Sequence, residues 1–265
     1  MVSTLREPLV APLRRVRDRL RNSAANGFGG STSLASLSAV NKGYDLEGPA
    51  REAIAQVGSH TQLSYERLVT LYEQVAYVER CGLPGSLVEC GVWRGGASAM
   101  MALANLAEGP ARRPLHLFDS FEGMPQPRAD VDGLAAMDLM RSASPSSPGV
   151  NVASPQQALD LIVGRVGYPE SSVVVHKGWF EDTIPIAREA LGAIAVLRID
   201  GDWYESTRTV FEHLYDLVVP GGVVVIDDYG HFEGCRRATD EFLGRHAPDA
   251  YLHYIDYTGR YLIKS

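Results

Sequence analysis

Ser86-Leu87-Val88-Glu89-Cys90-Gly91-Val92-Trp93-Arg94-Gly95-Gly96-Ala97-Ser98 decides the fold. A short apolar run ends at Gly91, and a glycine pair then opens an alanine-rich segment of helical character. A strand that passes through a glycine turn into a helix is the first half of a βαβ unit. Downstream the same alternation recurs. Strands are expected at Pro114–Phe118, Ser172–His176, Ile194–Ile199 and Gly222–Ile226. Helices are expected at Ala97–Leu106, Gln156–Val166, Asp182–Leu191, Tyr204–Leu217 and Gly234–Arg245. Tyr251–Ile255 and Arg260–Ile263 lie too close together for a crossover helix, so they must pair antiparallel around Tyr257-Thr258-Gly259. The expected fold is α/β and Rossmann-like, a mostly parallel seven-stranded sheet with a C-terminal antiparallel hairpin.

Upstream, residues 62–80 show helical spacing, with Leu63, Leu68, Leu71, Val75 and Val78 on one face. Residues 9–21 are amphipathic and arginine-rich, read as a surface or dimer-contact helix, with a transit peptide as the alternative. Residues 22–38 are rich in Gly and Ser and read as a linker or mobile cover. The expected division is an N-terminal helical extension and cover over 1–60 and a catalytic domain over 61–265. Residues 123–154, rich in Pro, Ser, Ala and Met, read as an insertion over the site.

The chain has 265 residues, 45% of them hydrophobic and 22% charged, enough to bury a full core. A net charge of -7 argues against a general nucleic-acid binder. No apolar run approaches a membrane span, and the N-terminus lacks the apolar core of a signal peptide. The three cysteines are too few and scattered for a disulfide framework or a zinc site, which fits a reducing cytoplasm.

In a sheet of this kind ligands bind beyond the carboxyl ends of the strands. The loop after the first strand reads G-x-x-x-G-G, not G-x-G-x-x-G, with bulky Trp93 and Arg94 inside it. That suits a pyrophosphate poorly, and Glu89 beside it suits a cation, such as the amino or sulfonium group of S-adenosylmethionine. Asp119, at the next strand tip, can accept hydrogen bonds from ribose hydroxyls. Trp179 and Phe180 follow the third strand, where they could stack on adenine. The candidate cofactor contacts are Glu89, Gly91, Gly95, Ser98, Asp119, Ser120, Gly178, Trp179 and Phe180.

Two apolar strands end in acids: Arg198-Ile199-Asp200-Gly201-Asp202 and Val225-Ile226-Asp227-Asp228-Tyr229. Neighbouring strands lie roughly 4.8 Å apart, so four carboxylates collect at one edge and repel. A divalent cation is the simplest counter-charge, and oxygen ligands suit Mg²⁺, Ca²⁺ or Mn²⁺. Asp200, Asp227 and Asp228 are the expected ligands. Asp202, one step further out, is the candidate general base, and His231 is its rival.

These stretches together resemble the macrocin O-methyltransferase family, which includes methyltransferases acting on the mycinose and noviose sugars of antibiotics. The likeness runs from about Thr61 to Leu243. It rests on Leu87 to Gly96, Phe118 to Pro125, Lys177 to Pro185, Asp200 to Thr207 and Asp227 to Tyr229. The resemblance implies S-adenosylmethionine, bound Mg²⁺ and methyl transfer to a hydroxyl, commonly on a deoxysugar of a glycosylated secondary metabolite. It maps the metal-binding acids and the base onto the same tips. Trp203 stands where the family carries a smaller or more flexible apolar residue. A small-molecule glycoside acceptor and a homodimer or higher homo-oligomer are expected, with no nucleic acid and no membrane partner.

Three other readings compete. A catechol-like phenol could present two hydroxyls to the same metal. An NAD(P)-dependent oxidoreductase is disfavoured by the glycine spacing and by the absence of Tyr-x-x-x-Lys, since Tyr168 and Tyr204 are followed by Ser172 and Arg208. A non-catalytic assembly protein would have little reason to keep four acids at one edge.

Overall fold

Every residue of Ser86–Cys90 is buried, which makes this short run a central strand. The computed structural model describes residues 46–142 and 150–265. Its strands are β1 (Ser86–Cys90), β2 (Leu115–Asp119), β3 (Val173–Lys177), β4 (Ile194–Ile199), β5 (Val218–Ile226), β6 (His253–Tyr254) and β7 (Arg260–Ile263). They form one seven-stranded sheet in the order β3-β2-β1-β4-β5-β7-β6. The first five are mutually parallel, while β7 runs antiparallel to both β5 and β6. The sheet has the expected topology.

The register places the site. Cys90 pairs with Phe118 on one side and Ile199 on the other, and Ile199 pairs with Ile226. The residues that follow these four are Gly91, Asp119, Asp200 and Asp227. They therefore leave the sheet in one row along its carboxyl edge.

The helices are α1 (Gly48–Val57), α2 (Tyr65–Arg80), α3 (Gly96–Glu108), α4 (Gly133–Ser142), α5 (Pro155–Leu159), α6 (Phe180–Leu191), α7 (Tyr204–Leu214) and α8 (Glu233–His246). Alternation along the strands divides the core in two. Leu87 and Val196 join one cluster with Ile54 of α1, Leu71 of α2 and Met100 of α3. Val88, Cys90 and Leu197 join the other with Ile184 of α6, Phe211 of α7 and Phe242 of α8. Glu89 and Arg198 have the parity of Leu87 and Val196, so they lie under α2 and α3.

The structure differs from the sequence reading in several places. Helix α1 buries Ala50, Ala53, Ile54 and Val57 and packs on α2 and α3, so the packed core begins before residue 61. The segment read as an insertion over the site contains α4, because Leu134 to Met140 is a run of mostly strong helix formers. The helix expected over Gln156–Val166 is α-helical only to Leu159. It continues as a π turn in which the Val166 N–H donates to the Leu161 carbonyl, five residues back. The expected helix at 9–21 and cover at 22–38 lie outside the described residues. Among those described, no helix is long and apolar enough to cross a membrane.

Gly91 shows why the loop needs glycine. Its φ is +98°, and a Cβ there would stand 1.9 Å from the Asp200 carbonyl oxygen. The requirement comes from the neighbouring strand tip. Gly91→Ala should therefore force β1 and β4 apart. We expect a loss of more than about 2 kcal/mol, read as a fall of several degrees in thermal melting.

On β2 and β3, His116 Nδ1 lies 3.1 Å from His176 Nε2. Burial, with a smaller contribution from His176, lowers the His116 pKa to about 4. The unfolded chain takes up this proton near pH 6.5, the folded chain only near 4. The stability it contributes is thus present above about pH 6.5 and lost as pH falls through that window. Melting temperature should drop between about pH 6.5 and 4, and His116→Gln should flatten that drop.

Candidate active site

The loop between β1 and α3 is tied to β2 by Asp119. One carboxylate oxygen accepts the backbone N–H groups of Val92 and Trp93 at 2.7 and 2.8 Å. The other accepts the Phe121 N–H at 2.6 Å. Each carboxylate oxygen has two lone pairs, so capacity for a ligand hydroxyl is left over. Ser120 accepts the Glu122 N–H and donates to the Gly123 carbonyl, which folds the chain back beneath the cleft.

Four of the residues expected at the cofactor make contacts within the protein. Ser98 is fully buried and donates its hydroxyl to Glu89. A Cβ on Gly95 would meet Ala158 at 2.9 Å, so this glycine admits α5 against the loop. Gly178 has a φ of +145°, donates its N–H to the Asp119 carbonyl and turns the chain between β3 and α6. Glu89 is 1% exposed and faces Arg198 and Ser98.

The acids at the strand tips have protein counter-charges. Arg198, also nearly fully buried, places Nη1 at 2.7 Å from Glu89 Oε1 and 2.8 Å from Asp200 Oδ2. Its Nη2 lies 2.7 Å from Asp227 Oδ1. Arg67, from α2, reaches Asp227 Oδ2 at 2.5 Å and Asp256 Oδ2 at 3.2 Å. The expectation of four uncompensated carboxylates is corrected here: two guanidinium groups stand among them.

Asp200, Asp202 and Asp228 each place a carboxylate oxygen within 4.8 Å of the others. Asp227, adjacent to Asp228, has one oxygen 2.5 Å from Arg67 Nη1 and the other 2.7 Å from Arg198 Nη2. Asp228 Oδ2 is buried with no hydrogen-bond partner. Burial and the neighbouring Asp200 and Asp227 charges raise the Asp202 carboxyl well above the usual carboxylate range. Burial and the Asp202 and Asp200 charges do the same to Asp228. A cation placed among them would favour their ionised form. The donors are all hard oxygen, which fits Mg²⁺, Mn²⁺ or Ca²⁺.

Two cavities meet at this ridge. The first, about 450 Å³, is lined by Asp119, Ser120, Trp179 and Phe180 and reaches Asp202. The second, about 330 Å³, is lined by Glu89, Asp227, Asp228 and His231. Gly91, Asp200 and Asp202 line both. His231 is exposed at the rim of the second, with Nδ1 at 3.2 Å from the Tyr257 hydroxyl.

Over the first cavity the insertion is pinned to the start of α7. Trp203 Nε1 donates to the Pro125 carbonyl at 2.9 Å, and its ring meets Phe232 edge-on. Asp132 accepts the Tyr204 N–H with one oxygen and the Arg128 N–H with the other, each at 2.7 Å. Sequence reasoning did not assign roles to Arg67, Arg198 or Asp132. For Arg198 a signal existed, since a charged residue inside the apolar run Ile194–Ile199 must be paired if buried. For Arg67 none existed, because its partner Asp227 is 160 residues away.

Comparison with known proteins places the chain in a family. The family described as Macrocin-O-methyltransferase (TylF) matches residues 39–264. The 8-demethyl-8-(2,3-dimethoxy-alpha-L-rhamnosyl)-tetracenomycin-C 4'-O-methyltransferase of Streptomyces olivaceus is 38% identical over 201 residues, 76% of this chain and 74% of that protein. The mycinamicin III 3''-O-methyltransferase of Micromonospora griseorubida is 33% identical over 207 residues, 78% and 79% of the two chains. The solved structure of the O-methyltransferase NovP superposes with a TM-score of 0.68 at 33% identity, covering 81% of this chain and 88% of that one. The protein with this acidic strand edge belongs to the macrocin O-methyltransferase family, and it is an O-methyltransferase.

Proposed function

We propose that the protein transfers the methyl group of S-adenosylmethionine to a hydroxyl of a deoxysugar carried on a glycosylated small molecule, assisted by Mg²⁺. The observation that carries this reading is the trio Asp200, Asp202 and Asp228 at the junction of two cavities. The relatives named for sugar-bearing antibiotics favour a glycoside acceptor over a catechol.

Each residue has a defined task in this proposal. Asp119 and Ser120 receive the ribose, and Trp179 and Phe180 flank the adenine in the larger cavity. Asp200 and Asp228 hold the cation, with Asp228 Oδ2 supplying a partner-free buried oxygen. When bound, Mg²⁺ would acidify and orient an acceptor hydroxyl. Asp202 takes the hydroxyl proton, because it lies further along the chain from its strand than Asp200 or Asp228 and lines both cavities. His231, exposed and bonded to Tyr257, acts as a rim contact for the acceptor. The ridge brings the two reactants together in line, and such positioning supplies much of the rate.

Methyl transfer from labelled S-adenosylmethionine to a panel of glycosides, their aglycones and catechols tests the acceptor. Glycosides should be methylated and aglycones not, and a preference for catechols would replace this reading. Asp202→Asn should lower kcat by roughly 10²-fold or more while S-adenosylhomocysteine still binds in calorimetry. Full turnover in excess EDTA would remove the cation from the mechanism.

A further inference from the structure

A hydrogen bond joins two distant parts of the chain at the second cavity. Gln62, in the loop before α2, donates its side-chain N–H to Asn151 Oδ1 at 3.0 Å, across 89 residues. Gln62 lines the second cavity, and Asn151 lines both. Both side chains are exposed, so they remain open to a ligand. The placement of Asn151 is set by its backbone. Its φ is +58°, a left-handed conformation that asparagine tolerates better than most residues. The preceding Val150 carbonyl accepts the Met124 N–H at 3.0 Å. Gly123 admits this close return, since a Cβ there would stand 2.6 Å from the Val150 carbonyl oxygen.

One amide-to-amide bond does not exhaust these groups. Gln62 Oε1 has no hydrogen-bond partner among the described residues. Asn151 Nδ2 has only a long contact, 3.6 Å, with the weakly accepting Met124 Sδ. A free acceptor and a free donor therefore stand side by side. A sugar hydroxyl both accepts and donates, so it matches such a pair. Around the pair, Met124, Leu139 and Val150 line the same cavity with apolar surface, which suits the C–H faces of a deoxysugar. A few polar groups on an apolar wall is the usual make-up of a site that orients a small ligand. Resting on the proposed sugar acceptor, we propose that Gln62 and Asn151 bind a sugar hydroxyl other than the one that is methylated, and so determine which sugar is accepted. A site built to bond a hydroxyl rejects the analogue that lacks it, because its own polar groups are then left unpaired.

The experiment uses the full chain and nitrophenyl α-L-rhamnoside with its monodeoxy analogues as probes, since a rhamnosyl group is named in the acceptor of one relative. Methyl transfer from labelled S-adenosylmethionine gives kcat and KM, calorimetry gives S-adenosylhomocysteine affinity, and thermal melting reports folding. With wild-type protein, one analogue should lose all methylation, because it lacks the reacting hydroxyl. Another should fall about tenfold or more in kcat/KM, because it lacks the hydroxyl read by the pair. Asn151→Gly keeps the left-handed backbone and removes the amide, and Gln62→Leu keeps the side chain's approximate size. Each variant should raise KM for the rhamnoside about tenfold, with kcat and S-adenosylhomocysteine affinity within about threefold of wild type. Each should also erase the penalty on the second analogue, and either serves if the other does not fold. Wild-type KM with that penalty intact in both variants would overturn the proposal. A loss of S-adenosylhomocysteine affinity in step with KM would also refute it, by assigning the pair to the cofactor. So would a lowered melting temperature with the analogue penalty unchanged, which would make the pair a clasp between loop and insertion only. If the wild-type protein methylated catechols and no glycoside, the sugar reading itself would fall, a result distinct from these three.

Discussion

A guanidinium buried among carboxylates is costly, since desolvating each ion takes several kcal/mol that only close, well-directed partners can offset. Arg198 meets that condition because three strands end in register around it. A slip of one residue in β4 would turn Arg198 to the opposite face of the sheet, among Leu197 and Ile199's apolar neighbours. It would also move Asp200 away from its row. The charge network and the sheet register therefore depend on one another. Helix α2 joins this arrangement from above through Arg67, which spans the β5 tip and the turn before β7.

Around that centre, much of the conspicuous local sequence is spent on holding the chain together. Gly91 accommodates the neighbouring strand, Gly95 accommodates α5, and Asp119 binds the backbone of the loop beside it. A ligand that enters the cleft meets a surface already shaped by these contacts. This is preorganisation in a literal sense, since the hydrogen bonds that orient the site exist before any ligand arrives.

The same holds at the start of α7. Trp203 directly follows Asp202, and its indole is anchored on the insertion at Pro125. Asp132 fastens that insertion to the first free N–H of α7. The covering segment and the strand tip that carries Asp202 are thus parts of one assembly. A bulky residue at position 203 belongs to that assembly as much as to the core, where it packs on Phe232.

Local pattern was enough for much of the molecule. The run Ser86–Cys90, the strand Ile194–Ile199 and the close-spaced C-terminal strands announce a parallel sheet with an antiparallel end, because side-chain periodicity and connection length are properties of neighbouring residues. Acids after two apolar strands likewise announce an acidic edge. Helix α4 and the π turn at 160–165 escaped that reading because flanking Pro, Ser and Gly obscure short local preferences. What remained hidden was which acids are free and which are paired. Asp227 and Asp202 look alike in the chain, yet Arg67 and Arg198 pair with the first, while the second stands in the trio. That distinction is made by electrostatic contacts between residues far apart in sequence, and such contacts exist only once β1, β4, β5 and α2 have packed together.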